Sequence, residues 1–177
     1  MATASGAAGN AAGATREALR AELAATRAAF HELLAGLADA DWRRRTANPA
    51  WTVGHLLHHL TWSLEMLPRE VASARRGQGM YNFPPAVRDR LSATITRLGA
   101  SRQSLRSVAR RYDDAYAAAL RALETVRDDE WGRGAPFWGE GFIDIAGLFR
   151  AQALHLAEHG ADILAATQGR GGAIPQR

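Results

Sequence analysis

The chain has no cysteine in its 177 residues. Disulfide scaffolds, zinc–thiolate sites, iron–sulfur clusters and cysteine nucleophiles are excluded, so any thiol in its chemistry comes from a separate molecule. Lysine is absent as well: all 22 basic residues are arginine, against 18 acids. The sequence pI of 10.5 therefore reflects the high pKa of guanidinium more than an excess of charge, because the net is only +4. The arginines scatter along helical segments, with short clusters such as Arg43, Arg44 and Arg45, and gather on no single face, so no nucleic-acid partner is expected. No apolar run approaches the roughly 18 residues of a membrane span, and no membrane partner is expected. Residues 1–14 after the Met are Ala, Gly, Ser, Thr and Asn only. They offer neither a positive n-region nor a bulky apolar stretch, so a disordered tail and a cytoplasmic protein are expected.

What is present is helical. Apolar residues make up 47% of the chain, enough for the core of one domain, placed at 15–167 with a flexible tail over 168–177. A first helix over 15–37 carries Leu19, Leu23, Phe30, Leu33, Leu34 and Leu37 at three- and four-residue steps. A break over 38–49 follows. A second helix starts at Trp51-Thr52, with Thr52 as N-cap and Trp51 stapling onto Leu56. It pauses at Pro68 and ends before Gly77. A short accessory helix spans 86–98, with Gly99 as its C′ residue. A long helix over 101–127 repeats Leu105, Val108, Tyr112, Tyr116, Leu120 and Leu123. The Gly-rich, aromatic segment 131–142 reads as an ordered loop. The last helix starts at Asp144, an N-cap, and ends near Thr167. No strand pattern competes. Four helices of about 20–26 residues, ~30–39 Å long, predict an all-α four-helix bundle with one accessory helix.

Five of six histidines fall in two windows: His55, His58 and His59 early in helix two, His155 and His159 in the last helix. Residues four apart on a helix stand one above the other, so two imidazoles at that spacing can reach one ion. On the last helix the apolar stripe is Ile145, Phe149, Ala153, Leu156, Gly160 and Ile163. His155 and His159 lie at its edge beside Leu148, Gln152 and Asp162. On helix two the stripe is Val53, Leu56, Leu60, Leu64 and Leu67, with His59 at its border beside His55, Trp62, Ser63 and Met66. His58 falls on the far side, toward solvent, and His31 in helix one reads as structural. Histidines at stripe margins of separate helices are where bundles build metal sites. Three imidazoles with an open fourth position suit a catalytic divalent metal, and neutral imidazole accepts zinc, nickel or iron(II). A di-iron carboxylate site is disfavoured, since no Glu or Asp precedes His59, His155 or His159 by three.

The segment Trp51-Thr52-Val53-Gly54-His55-Leu56-Leu57-His58-His59-Leu60 resembles the W-[ST]-x-x-x-[LIV]-x-x-H-[LIV] motif of the DinB/YfiT-like superfamily. The segment His155-x-x-x-His159-Gly160-Ala161-Asp162-Ile163 resembles its closing H-x-x-x-H-x-x-Q-[IL]. The helix order matches too, over most of 15–167. The resemblance implies a four-helix bundle of unusual connectivity and one divalent metal, zinc or nickel, held by His59, His155 and His159. Asp162 replaces the more frequent Gln, and would orient a ligand imidazole or a metal-bound water. His55 matches a Gly-His pairing of mycothiol-dependent maleylpyruvate isomerase-like members, which implies a place behind the ligands or facing substrate, with a fourth-ligand role as the alternative. The family implies two chemistries: a low-molecular-weight thiol presented to a small electrophile, as in S-transferases and isomerases, or hydrolysis by metal-bound water. A stress-related protein that binds metal or ligand without turnover is a third reading. The absence of cysteine suits the first. Arg69 and Arg150 are candidates to hold a carboxylate of thiol or substrate. Trp62, Met66 and the Phe137-Trp138 pair are candidate pocket walls. Glu158 points outward, and a homodimer is expected from the amphipathic helices and the family.

Overall fold

The structure is a computed structural model that describes residues 3–48, 50–79, 85–137 and 141–168, with side chains from residue 15 in the first stretch and from residue 93 in the third. Five α-helices and one hairpin follow in order: α1 (Thr3–Ala35), α2 (Val53–Arg75), α3 (Pro85–Ala100), α4 (Leu105–Glu124), β1 (Gly134–Pro136), β2 (Phe142–Asp144) and α5 (Ile145–Thr167). A 3-10 turn, Asp39–Arg43, joins α1 to α2. The all-α class holds. α1 starts well before the expected residue 15, the helix continuing into a segment in which alanine is half of the residues. Of the expected flexible tail, residues 169–177 lie outside the described residues.

The long helices pack α2 on α4 and α5, and α1 on α4 and α5. Contacts along their lengths fix the directions. Arg16 reaches Val126, and Arg27 meets Asp113, so α1 and α4 are antiparallel. Arg111 pairs with Glu65, and Arg75 with Thr125, so α2 and α4 run parallel. Consecutive helices α1 and α2 therefore occupy one diagonal of the bundle, and α4 and α5 the other. A parallel α2–α4 neighbourhood needs a crossover the length of the bundle, which the segment carrying α3 supplies. The core is one cluster with Leu19, Phe30, Leu57, Leu64, Leu67, Leu123, Phe149 and Ile163 at its centre. Phe30 stacks on Tyr112 across α1 and α4, ring centroids 3.7 Å apart.

Local chemistry explains most helix ends. Thr52 caps α2 by accepting from His55 N, Ser104 caps α4, and Asp144 caps α5 by accepting from Gly147 N at 2.6 Å. Gly77 adopts φ +66° beyond α2, the left-handed turn that ends it. Three expectations need correction. Pro68 lies inside α2, which runs on through it without the expected pause. Gly99 is not a C′ residue: α3 runs through it to Ala100, and a Cβ at Gly99 would overlap the His58 imidazole. The segment expected as a loop before α5 forms the antiparallel pair β1–β2, registered Gly134↔Asp144 and Ala135↔Ile143. Gly134 permits it, because a side chain there would strike the Ile143 carbonyl and the Phe142 ring.

The hairpin covers the end of the α2–α5 seam. Beneath it Glu70, 7% exposed, faces a cavity of about 10 Å³ lined by Ser73, Gln78, Ala135, Phe137, Ile143 and Leu148. That is space for about one water. Burial raises the Glu70 carboxyl from 4.5 to about 7, so the folded state holds its proton more tightly than the unfolded chain does. The contribution of Glu70 to stability is then fully present below about pH 4.5 and is lost as pH rises through about 7. Glu70→Gln, a mimic of the protonated acid, is expected to remove about 2–3 kcal/mol of this pH-dependent loss, measured by urea unfolding at pH 5 and pH 8. Equal slopes in wild type and variant would reject this account.

Candidate metal centre

Three histidines meet where α2 crosses α5. His59 lies on the second turn of α2, and His155 and His159 stand one turn apart near the middle of α5. The two helices run antiparallel, with the N-terminal Leu148 of α5 beside Glu70 and Ala74 near the end of α2. Residues 96 positions apart in sequence thus become neighbours: the Nε2 atoms of His59 and His155 are 3.0 Å apart. One nitrogen from each of the three rings lies within 4.8 Å of the others. Ring centroids are 4.7 Å apart for His59–His155 and His155–His159, and 5.2 Å for His59–His159.

The donor set suits a divalent ion. Two imidazoles on a tetrahedral zinc at about 2.0–2.1 Å would have nitrogens roughly 3.3 Å apart, close to the observed pair. Burial holds His59 down to about 3 and His155 down to about 4, with the neighbouring imidazoles adding to the effect. Both are therefore neutral at physiological pH, the form that donates a lone pair. The Nδ1 atoms of His59 and His159 are buried without a hydrogen-bond partner. Unpartnered buried polar atoms cost stability, so two such rings converging with a third is a feature that core packing alone does not favour.

Trp51 shapes the entrance. Its indole lies edge-on to His59, with centroids 5.1 Å apart, and near-parallel to His159 at 6.5 Å. A pocket of about 350 Å³ opens onto the cluster, lined by Thr46, Asn48, Trp51, Leu56, His59, His159 and Asp162. The segment before α2 is held there by Val53 N donating to Arg44 O and Thr46 N donating to Trp51 O. Gly54 lets it approach: a Cβ at that position would run into the Trp42 indole.

The remaining candidates fall in different places. Asp162 lines the pocket, and its Oδ2 is 3.7 Å from His159 Nδ1, beyond hydrogen-bond distance. His55 is outside the cluster: its Nδ1 accepts from Thr52 N at 3.1 Å, closing a capping box. Arg69 lies ten residues past His59, about 15 Å along α2, exposed and over Met66. Arg150 faces Glu22 across α1 and α5. Neither arginine, nor Trp62 or Met66, lines the pocket. Phe137 lines the Glu70 cavity instead, and Trp138 lies outside the described residues. Glu158 is exposed, and His31 pairs with Asp113 at 2.8 Å.

His58 reverses its expected place. It is 3% exposed, packed on Gly99 of α3, with Arg111 Nη1 donating to its Nδ1 at 3.1 Å. Burial, with Arg111 nearby, lowers its pKa. A wheel drawn for one buried stripe missed it because α2 is covered on three sides, by α4, α5 and α3. The same limit explains Leu148 and Gln152, expected at the edge of α5 and found buried, while Ala153, expected in the stripe, is exposed. The buried arc of α5 is turned toward the histidines.

Residues 14–163 match the sequence profile of the DinB superfamily. The chain belongs to the DinB superfamily. Two solved structures share this DinB fold. One is a mycothiol-dependent maleylpyruvate isomerase, with TM-score 0.65 and 15% identity. The other is a point mutant of such an enzyme, with TM-score 0.67 and 13% identity. Each comparison covers 84% of this chain and 60% of the other, so the DinB chain described here spans about three-fifths of the length of those proteins. No curated protein matches. Among the described residues no helix is long and apolar enough to cross a membrane.

The two histidines that flank the cluster in sequence are separable by stability. His58→Ala is expected to cost about 2–3 kcal/mol, because it opens a cavity and strips the Arg111 partner. His55→Ala, which removes one cap contact, is expected to cost about 1 kcal/mol or less. Urea denaturation midpoints would show this order, and a reversed order would contradict the placement of His58.

Proposed function

We propose that this protein holds one divalent cation, zinc or nickel, through His59, His155 and His159. In this reading it presents a low-molecular-weight thiol to a small electrophile, acting in the cytoplasm as a thiol-dependent S-transferase or isomerase. The observation that carries the reading is the convergence of three imidazoles, two of them kept neutral by burial, on one point beside an open pocket. When bound, such an ion supplies Lewis acidity that keeps a coordinated thiol ionised near neutral pH. The chain itself has no cysteine, so the sulfur must come from a cofactor or substrate. The named enzyme of the same fold is mycothiol-dependent, which supports a thiol as the second component.

The protein's own residues supply position and environment. Packing of α2 on α5 sets the three rings, and loss of any one leaves too few ligands for a catalytic site. Trp51 and Leu56 form an apolar wall beside His59 that limits water around a bound sulfur. Thr46 stays engaged with the backbone carbonyls of Asn48 and Trp51, keeping that wall in place. Asp162 faces the same space from α5.

Elemental analysis of purified protein is expected to find about one zinc or nickel ion per chain, and strong depletion in His59→Ala, His155→Ala and His159→Ala. Equal metal in all four proteins would refute the site. With metal present, addition of a thiol to small electrophiles is expected to be accelerated, and His59→Ala to lower the rate at least about a hundredfold. Turnover that needs no thiol and instead consumes water would replace the transferase reading with a hydrolase.

A further inference from the structure

We propose that Asp162 sets the charge selectivity of the pocket over the three histidines, favouring thiols with neutral or cationic, hydrogen-bond-donating tails over thiols that carry a carboxylate. This deepens the metal–thiol reading above and rests on it. The pocket is lined by Thr46, Asn48, Trp51, Leu56, two of the imidazoles and Asp162. Asp162 is the only formally charged side chain among these described lining residues.

Its carboxylate is 53% exposed, and its approach to His159 is too long for a hydrogen bond, so its oxygens are available to a ligand. No arginine lines the pocket to offset it, and the charge of a bound ion is common to the wild type and Asp162→Asn, so the difference between them isolates the carboxylate. The arginines that the sequence offered for gripping a carboxylate are elsewhere, Arg150 facing Glu22 and Arg69 over Met66. Asn48 is turned by its own loop, its Oδ1 accepting from Ala50 N at 3.0 Å. The Thr46 hydroxyl is within bonding distance of the Asn48 and Trp51 carbonyls. Trp51 and Leu56 make the apolar part of the lining and accept methylene or ring carbons. A thiol whose sulfur reaches the imidazoles from this pocket therefore has its tail among apolar side chains and one carboxylate. In a water-exposed pocket a carboxylate a few ångströms from a ligand charge alters affinity about three- to tenfold at low ionic strength, less in salt.

Cobalt(II)-substituted full-length protein tests this without turnover, because cobalt reports both its own coordination and sulfur binding in its visible and near-ultraviolet bands. Cysteamine, mercaptoethanol and mercaptopropionate present the same sulfur on cationic, neutral and anionic tails. The mercaptopropionate and cysteamine dissociation constants are expected to move in opposite directions in Asp162→Asn, each about three- to tenfold, so that their ratio falls about ten- to a hundredfold, with mercaptoethanol little changed. The effect should shrink as salt is raised. Cobalt bands in both proteins with an unchanged ratio overturn the selectivity and leave the metal reading standing. Cobalt bands in the wild type but not in Asp162→Asn also overturn it, showing that Asp162 holds the centre instead. No cobalt bands in the wild type overturn the metal reading and the selectivity together.

Discussion

The antiparallel packing of α2 on α5 is the constraint on which the rest of this molecule depends. It brings His59 against His155 and His159 at one end of the seam, and Glu70 against Leu148 under the hairpin at the other. Between them Ser63 Oγ approaches Gln152 Oε1 at 3.4 Å. The arrangement exists because the chain does not wind up and down between neighbours. α1 and α2 sit on one diagonal, α4 and α5 on the other, and the segment carrying α3 returns the chain so that α2 and α4 run parallel. Simple up-down connectivity would make helix neighbours of consecutive segments, and the diagonal placement makes neighbours of α2 and α5 instead.

Polar groups elsewhere in the core follow a different rule from those at the histidines. Thr26, Thr61 and Thr167 are buried and turn their hydroxyls back to carbonyls of their own helices. The buried Glu130 is paired with Arg75 and accepts from Arg127 N. His58 is anchored by Arg111, itself held by both oxygens of Glu65. Buried atoms without a partner occur on Arg16, His58, Gln103 and Trp131 as well, but His59 and His159 bring two of them, both Nδ1, to one cluster. Local rule-breaking of this kind is where a fold gives up stability for a site. Glu70 is a second such place, a carboxyl raised by burial alone with no charged group offsetting it.

Legibility from sequence followed the physics of each feature. The caps at Thr52 and Asp144 were readable because a side-chain acceptor at a helix start acts within three residues. The three histidines were readable because HxxxH spacing and stripe-edge position are properties of a single helix. His58 was not, because its burial comes from α3 and from Gly99, which no wheel of α2 contains. The hairpin was missed because strands of three residues carry no alternation to read. Arg69 and Arg150 were plausible by distance along their helices, but the pocket opens toward the segment before α2, away from both.

Composition and periodicity by themselves determined a helical domain without cysteine chemistry, the capped starts of α2 and α5, and which histidines border an apolar stripe. These depend on interactions among residues a few positions apart, which the order of amino acids states directly. Which helices touch, that α2 meets α5 head to tail, that His58 turns inward and that the pocket is lined by a carboxylate and by no arginine were decided by the tertiary structure. Those outcomes rest on the diagonal connectivity and on close approaches at Gly54 and Gly99, where surfaces far apart in the chain must fit one another before any side chain has its final neighbours.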